Sequence, residues 1–394
     1  MKVGSLFDQR KRTDPYPATD DESSYAFLNR VAGPFWQRVR DFSDEAFAAY
    51  PSEAAEDLRA RFRDSSWSSH IGAWWELYLF TLFRRLGYEV EVHPDLPGVT
   101  THPDFRCRSV AGTFLVEARH VAAGLRSDSK ARVGADAWIT GPLDRLSHPD
   151  FMVRVEILER AADRPPRAAV TRGVVEWLDG LDHGEVANGS SREWPTYLSE
   201  AKGWKFELTA LPVKTSARGR RRRLVGVHPV ITGRDDTSVA LRSTLRAKAR
   251  KYGRPDEPFI VAPLLTSAGT DTEDIIAALY GSEVVVFSPD RPGVTRMSRT
   301  RDGFWISGDG YRGTRVSGVL LGDAILPWSV TTRLPRLWLH PAASRPLPSD
   351  FGLPAVRLGQ DGTLALAEGS RDPATTFDLE PDWPGPDARF PRDA

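Results

Sequence analysis

A helical seam that stops at a glycine and runs into three short alternating segments fixes the kind of core this chain must build. Between 71 and 86 the apolar residues Ile71, Trp74, Trp75, Tyr78, Leu79, Leu82, Phe83 and Leu86 recur at intervals of 3, 1, 3, 1, 3, 1 and 3. That spacing lays one apolar stripe along an α-helix, and Gly87 supplies a C-terminal stop. Residues 88–93, 104–109 and 113–119 then read as strands, the last two joined by the short turn Val110-Ala111-Gly112. Pairing about Ala111 would set Asp104 beside Ala118 and let Asp104 and Glu117 converge. Alternation puts Leu115, Glu117 and Arg119 on one face of the third strand and Phe114, Val116 and Ala118 on the other, so a carboxylate and a cation share a face.

The remaining chain is less regular. Residues 1–22 are expected to form a flexible leader, and 23–67 carries helical spacing (Phe27, Leu28, Phe35, Trp36, Val39) that predicts two helices. After 120 the pattern becomes mixed: polar over 120–148, a strand over 151–158, a helix over 172–181, a Gly/Asn/Ser loop over 182–192, and strands over 204–213 and 224–231. A helix over 239–252, an unbroken apolar strand over 258–265, a helix over 272–280 and a strand over 283–287 then give a βαβ-like pattern. Beyond 290 a Pro- and Gly-punctuated β-rich region contains one strong strand, 316–321, and ends in a peripheral tail from 350. The expected organisation is a leader (1–22), N-terminal helices (23–67), a core (68–290) with an insertion at about 120–238, and a C-terminal β-rich region with its tail (291–394).

Composition sets limits on function. The 394 residues hold 53 Lys plus Arg against 53 Asp plus Glu, so contact with nucleic acid must come from local patches rather than a global positive field. Candidate patches are the run Arg220, Arg221, Arg222 and Arg223, expected at a hairpin tip, and the helix carrying Lys248 and Lys251; either can equally be a solvated surface. One cysteine, Cys107, excludes an internal disulfide and a Cys-based zinc knuckle. No apolar run approaches the roughly 18 residues of a membrane span, so a cytoplasmic protein without a membrane partner is expected.

Chemistry concentrates around Asp104. Carboxylates at convergent strand positions can hold Mg²⁺ or Mn²⁺, which activates water and neutralises charge on a phosphodiester, and a nearby cation adds to that stabilisation. Glu76 lies inside the apolar seam, where an unpaired carboxylate is costly, so it needs a partner: a metal site or an ordinary salt bridge with Arg119 or Arg84. His-Pro-Asp occurs at 93–95, 102–104 and 148–150, and the copy at 102–104 has an acid-bearing strand at hairpin distance. Asp150 with Glu156 is a decoy of the same kind. Zinc held by His70, His93, His102 or His120 with Asp104 is a minor alternative.

A helical Glu, a Pro-Asp before a strand and a Glu-x-Arg on the next strand together resemble the PD-(D/E)XK nucleases. The resemblance covers about 68–120 and implies an α/β fold with a restriction-endonuclease-like core: helix, three-stranded meander, helix, strand. It maps the acidic helix position to Glu76, the metal-binding Asp to Asp104 and the (D/E)xK acid to Glu117, with Arg119 where the motif has Lys. Arginine can stabilise a phosphorane but is a poor proton shuttle. The motif lysine sometimes migrates in this superfamily, and the helix 239–252 with strand 259–265 resembles the following αβ unit, so Lys248 or Lys251 could substitute. The implied function is a Mg²⁺- or Mn²⁺-dependent endonuclease acting on DNA, of the kind used in restriction or phage defence. The alternatives are an inactive nucleic-acid-binding module of the same fold, or a structural subunit with protein partners in a defence complex.

Overall fold

The computed structural model of the chain describes residues 4–16, 18, 22–121, 127–190, 193–215, 218–219, 224–227, 237–253, 255–266, 271–287, 295–307, 310–359 and 363–386, with backbone alone at 127–134, 285–287, 295–298 and 307. It is a mixed α/β protein that divides into two compact units, one of Met1–Asp14, Ser24–Gly124 and Asp235–Ala388, the other of Pro15–Ser23, Leu125–Arg234 and Arg389–Ala394.

The first unit is built on an eight-stranded mixed sheet. Its strand order is Glu89–Val92, Phe105–Ser109, Gly112–Val121, Phe259–Leu265, Gly318–Asp323, Arg336–Leu339, Ala355–Leu358 and Leu364–Ala367. The first three form an antiparallel meander. Strand Phe259–Leu265 then runs parallel to Gly112–Val121, and Gly318–Asp323 parallel to it in turn. A parallel neighbour needs a crossover, and helix Thr237–Lys251 immediately precedes the strand it serves.

Both faces of this sheet are covered. Phe114, Val116, Ile260, Ala262, Leu264 and Leu320 join one apolar cluster with the N-terminal helices, while Leu115, Val261, Leu265, Val319 and Leu321 join another with Leu241, Leu245 and Leu279 from the helices that follow. Every residue of Phe259–Leu265 is buried, as its unbroken apolar run predicts. Helix Trp67–Arg85 supplies the largest side chains of the first cluster. Its Trp74 and Trp75 indoles are fully buried, and their N–H groups donate to the carbonyls of Ile325 (3.0 Å) and Ala262 (2.8 Å). Strand residue Gly322 makes room for that packing, since a Cβ there would lie 2.6 Å from the Trp75 ring. Gly87 takes φ +88°, and the N–H of Tyr88 caps the Phe83 carbonyl at 3.0 Å, which ends the helix.

Several expectations are corrected. Three helices, not two, occupy the N-terminal region (Ser24–Arg30, Pro34–Ala48, Ser52–Phe62), because Gly33-Pro34 and Pro51 interrupt the apolar spacing. Residues 4–14, expected in a leader, bring Leu6 and Phe7 into the core, with Phe7 against the Tyr25 and Phe62 rings. Strand Glu283–Phe287 does not enter the main sheet; it pairs with Thr295–Arg299, and Gly318–Asp323 takes the place beside Phe259–Leu265. The stretch from 350, expected to be peripheral, contributes two strands to the main sheet and buries Phe351, Leu353, Val356 and Phe377.

The second unit takes up most of the expected insertion. Strands Thr196–Ala201, Trp204–Pro212, Phe151–Glu159 and Val225–Val227 form its sheet in that order, over a core of its own that includes Leu143, Val153, Trp204, Phe206 and Leu208. Helices Ser127–Asp144 and His183–Asn188 form where a polar stretch and a loop were expected. The latter starts at Asp182, whose carboxylate accepts the Glu185 N–H at 2.8 Å.

Candidate active site

The hairpin brings the two strand acids together one residue out of the expected register. Phe105 pairs with Val116 and Ser109 with Gly112, which makes the turn two residues long and sets Asp104 level with Glu117 rather than with Ala118. The Asp104 side chain still reaches Ala118: its Oδ2 accepts the Ala118 N–H at 2.6 Å, which fixes the carboxyl beside the strand. Burial raises the Asp104 carboxyl well above the usual carboxylate range, and the charges of Glu117 and Glu76 raise it further. Both other acids therefore act on Asp104.

Glu117 is 1% exposed, with cations supplied by another element. Helix Thr237–Lys251 sends Lys248 and Lys251 to Oε1, Lys251 at 3.3 Å and Lys248 in closer contact. Tyr252, directly after the helix, donates its hydroxyl to Oε2 and lies 2.7 Å from the His102 carbonyl. Burial and the adjacent carboxylate push the Tyr252 phenol above its ordinary value, so it stays a donor. Spacings of three and four residues put Lys248, Lys251 and Tyr252 on one side of the helix. That spacing is the signal by which the sequence could have pointed to Tyr252.

Arg119 stands apart from these contacts. It is exposed and makes no hydrogen bond or ion pair with another described residue. The position beside Glu117 is filled by Lys248, one of the two substitutes expected for the motif lysine.

Glu76, 4% exposed, is paired on both oxygens: the Tyr50 hydroxyl donates to Oε1 at 2.7 Å and the Arg61 guanidinium to Oε2 at 2.8 Å. His93 stands 3.9 Å away. Its partners are thus Tyr50 and Arg61, not Arg119 or Arg84. The decoy pair separates: Asp150 binds Arg218 at 2.6 Å, while Glu156 is exposed. Cys107 is a fully buried strand residue. Arg220, Arg221, Arg222 and Arg223 lie outside the described residues.

Among the described residues no group of three His, Cys, Asp or Glu side chains is placed to hold a metal ion. A hard divalent cation such as Mg²⁺ commonly takes one or two carboxylates and completes its shell with water and phosphate oxygens. Asp104 and Glu117, level with each other on paired strands, fit that demand: burial first and then the charges of Glu117 and Glu76 hold the Asp104 carboxyl above its normal range, which added positive charge would relieve. No helix among the described residues is long and apolar enough to cross a membrane. Comparison with protein-family models, with curated proteins and with solved structures finds no match for the chain.

Proposed function

We propose that the chain is a metal-dependent nuclease that hydrolyses phosphodiester bonds in DNA, with Asp104 and Glu117 as the ligands of Mg²⁺ or Mn²⁺ and Lys248 as the catalytic cation. The observation that carries this reading is the contact of Lys248 with Glu117 on the strand position level with Asp104, a carboxyl raised by burial and by its acidic neighbours. The order of helix, antiparallel meander, crossover helix and parallel strand supports a restriction-endonuclease-like core. Bound between the two carboxylates, the metal would supply an activated water and Lewis-acid stabilisation. The chain's own groups supply the rest. Lys248, in contact with Glu117, would stabilise negative charge developing on phosphorus, Lys251 would add a second cation, and Tyr252 orients Glu117. Glu76, held by Tyr50 and Arg61, keeps negative charge near Asp104 and the helix in place. A role in restriction or phage defence belongs to the same proposal.

The test is incubation of the purified protein with supercoiled DNA, linear DNA and RNA, each with Mg²⁺, Mn²⁺ or EDTA, alongside Asp104→Ala and Glu117→Ala. Cutting that needs metal and is lost in both variants is the expected result. A second reading, a nucleic-acid-binding module without catalysis, is favoured by one observation: Glu117 already accepts from Lys248, Lys251 and Tyr252. Binding that persists in EDTA and falls steeply with salt, without cutting in any metal, would select it.

A further inference from the structure

The helix that delivers Lys248 to Glu117 carries a second set of cations on its other side. Arg246 and Arg250 stand about 150° round the axis from Lys248 and Lys251 at 100° per residue. They line a cavity of about 730 Å³ together with Arg312, Thr314, Arg315 and Arg345. Against these five guanidinium groups, Asp256 is the one acid among the described lining residues, and it is paired with Arg345 at 3.1 Å.

Carbonyl groups accept from three of the other four arginines. Arg246 donates to the Asp302 carbonyl at 2.8 Å, Arg312 to the Gly303 carbonyl at 3.2 Å through Nε, and Arg315 to the Gly253 carbonyl at 2.9 Å. A carbonyl orients a guanidinium without neutralising it, so positive charge accumulates in the concavity. Burial lowers Arg246 from its ordinary value and its neighbours Arg312 and Arg242 lower it further, only partly offset by the Asp302 carboxylate.

We infer that this pocket is a phosphate-binding site, separate from the acid cluster and recognising phosphate groups rather than bases. Guanidinium forks match phosphate oxygens in pairs, and the Thr314 hydroxyl, which accepts from Ser344 at 3.0 Å, adds a neutral donor. The volume lies in the range of small-ligand sites, roughly 300–1,000 Å³. Phe304, the aromatic side chain on its wall, is 3% exposed and offers no face for a base to stack on. The same phosphate chemistry is presented by a nucleic-acid backbone and by the polyphosphate of a free nucleotide.

The experiment measures binding in EDTA, where cleavage plays no part, so the pocket and the nuclease reading stand or fall separately. A labelled 20-base-pair duplex is titrated by fluorescence anisotropy and inorganic triphosphate by calorimetry, against wild type and the double variant Arg250→Ala, Arg345→Ala, both positions being exposed. At least one probe should bind the variant about tenfold more weakly, each lost phosphate contact also flattening the salt dependence of duplex binding by about 0.9 in log–log slope. Weakening of the duplex assigns the pocket to a nucleic-acid backbone; weakening of triphosphate alone assigns it to a free nucleotide. Neither probe bound by wild type, or both bound unchanged by the variant, would overturn the inference. Should the double variant melt before the assay temperature, the single Arg250→Gln carries the same comparison with a loss of about threefold expected.

Discussion

Replacing Lys248 by Met isolates the contact on which the site depends. The Glu117 side chain is 1% exposed and that of Lys248 20%, so the pair is largely shielded from water. Taking the only partner from a buried charge costs about 3–5 kcal/mol. Glu117 keeps Lys251 at 3.3 Å and the Tyr252 hydroxyl, so the loss should be nearer that of one charge-assisted hydrogen bond, about 1.5–3 kcal/mol. For a domain of this size that is a fall of roughly 3–12 °C in Tm. A double-mutant cycle with Glu117→Gln separates the pairwise energy from the packing of the lysine stem. The assay is urea unfolding followed by tryptophan fluorescence, for which the 12 Trp residues give ample signal. The cycle should return a coupling of about 1.5–3 kcal/mol, and the parallel cycle of Arg119→Met with Glu117→Gln less than about 0.5 kcal/mol. A Lys248 coupling no larger than the Arg119 one would refute the reasoning.

Asp104→Asn keeps an oxygen for the Ala118 N–H and removes a carboxylate that burial, Glu117 and Glu76 all disfavour. In EDTA near pH 7.5 its Tm should equal or exceed that of wild type, while the stabilisation by Mg²⁺, about 2.7 kcal/mol at a hundredfold excess over Kd, should vanish; a marked loss of Tm in EDTA counts against it. Glu76→Ala leaves the Tyr50 hydroxyl without its partner and Arg61 with Asp57 alone, at 2.8 Å, and should cost about 1–3 kcal/mol in urea unfolding, with a neutral outcome excluding the pairing. Burial lowers His70, whose ring lies 2.5 Å from the Phe62 carbonyl. A depressed histidine contributes stability above its unfolded value near 6.5 and loses it as pH falls toward the folded one, so Tm should drop from pH 7 to 5 by more in wild type than in His70→Gln. Truncation after Ser349 removes strand Ala355–Leu358, which pairs with Arg336–Leu339, and should abolish cooperative unfolding.

What the sequence revealed follows from period and burial. The seam from Ile71 to Leu86 and the run Phe259–Leu265 each state one pattern without competition, and the structure places a helix and a doubly buried strand there. Asp104 and Glu117 were legible because a two-strand hairpin fixes register to within a residue. The surroundings of Arg119 were not legible because alternation assigns a face but not what covers it: two residues beyond the buried Glu117, Arg119 is exposed. Lys248 lies 131 positions from Glu117, and no local pattern encodes a contact across that distance. The strands Arg336–Leu339 and Ala355–Leu358 escaped notice because four residues between prolines and glycines give too few alternations to count.

The most direct test is plasmid cleavage in Mg²⁺ by Lys248→Met and Arg119→Met side by side with wild type. Cutting by wild type and Arg119→Met, with a loss of about a hundredfold or more in Lys248→Met, is the result the geometry predicts. Wild-type cutting that survives Lys248→Met but not Arg119→Met, or no cutting by any of the three, would contradict it.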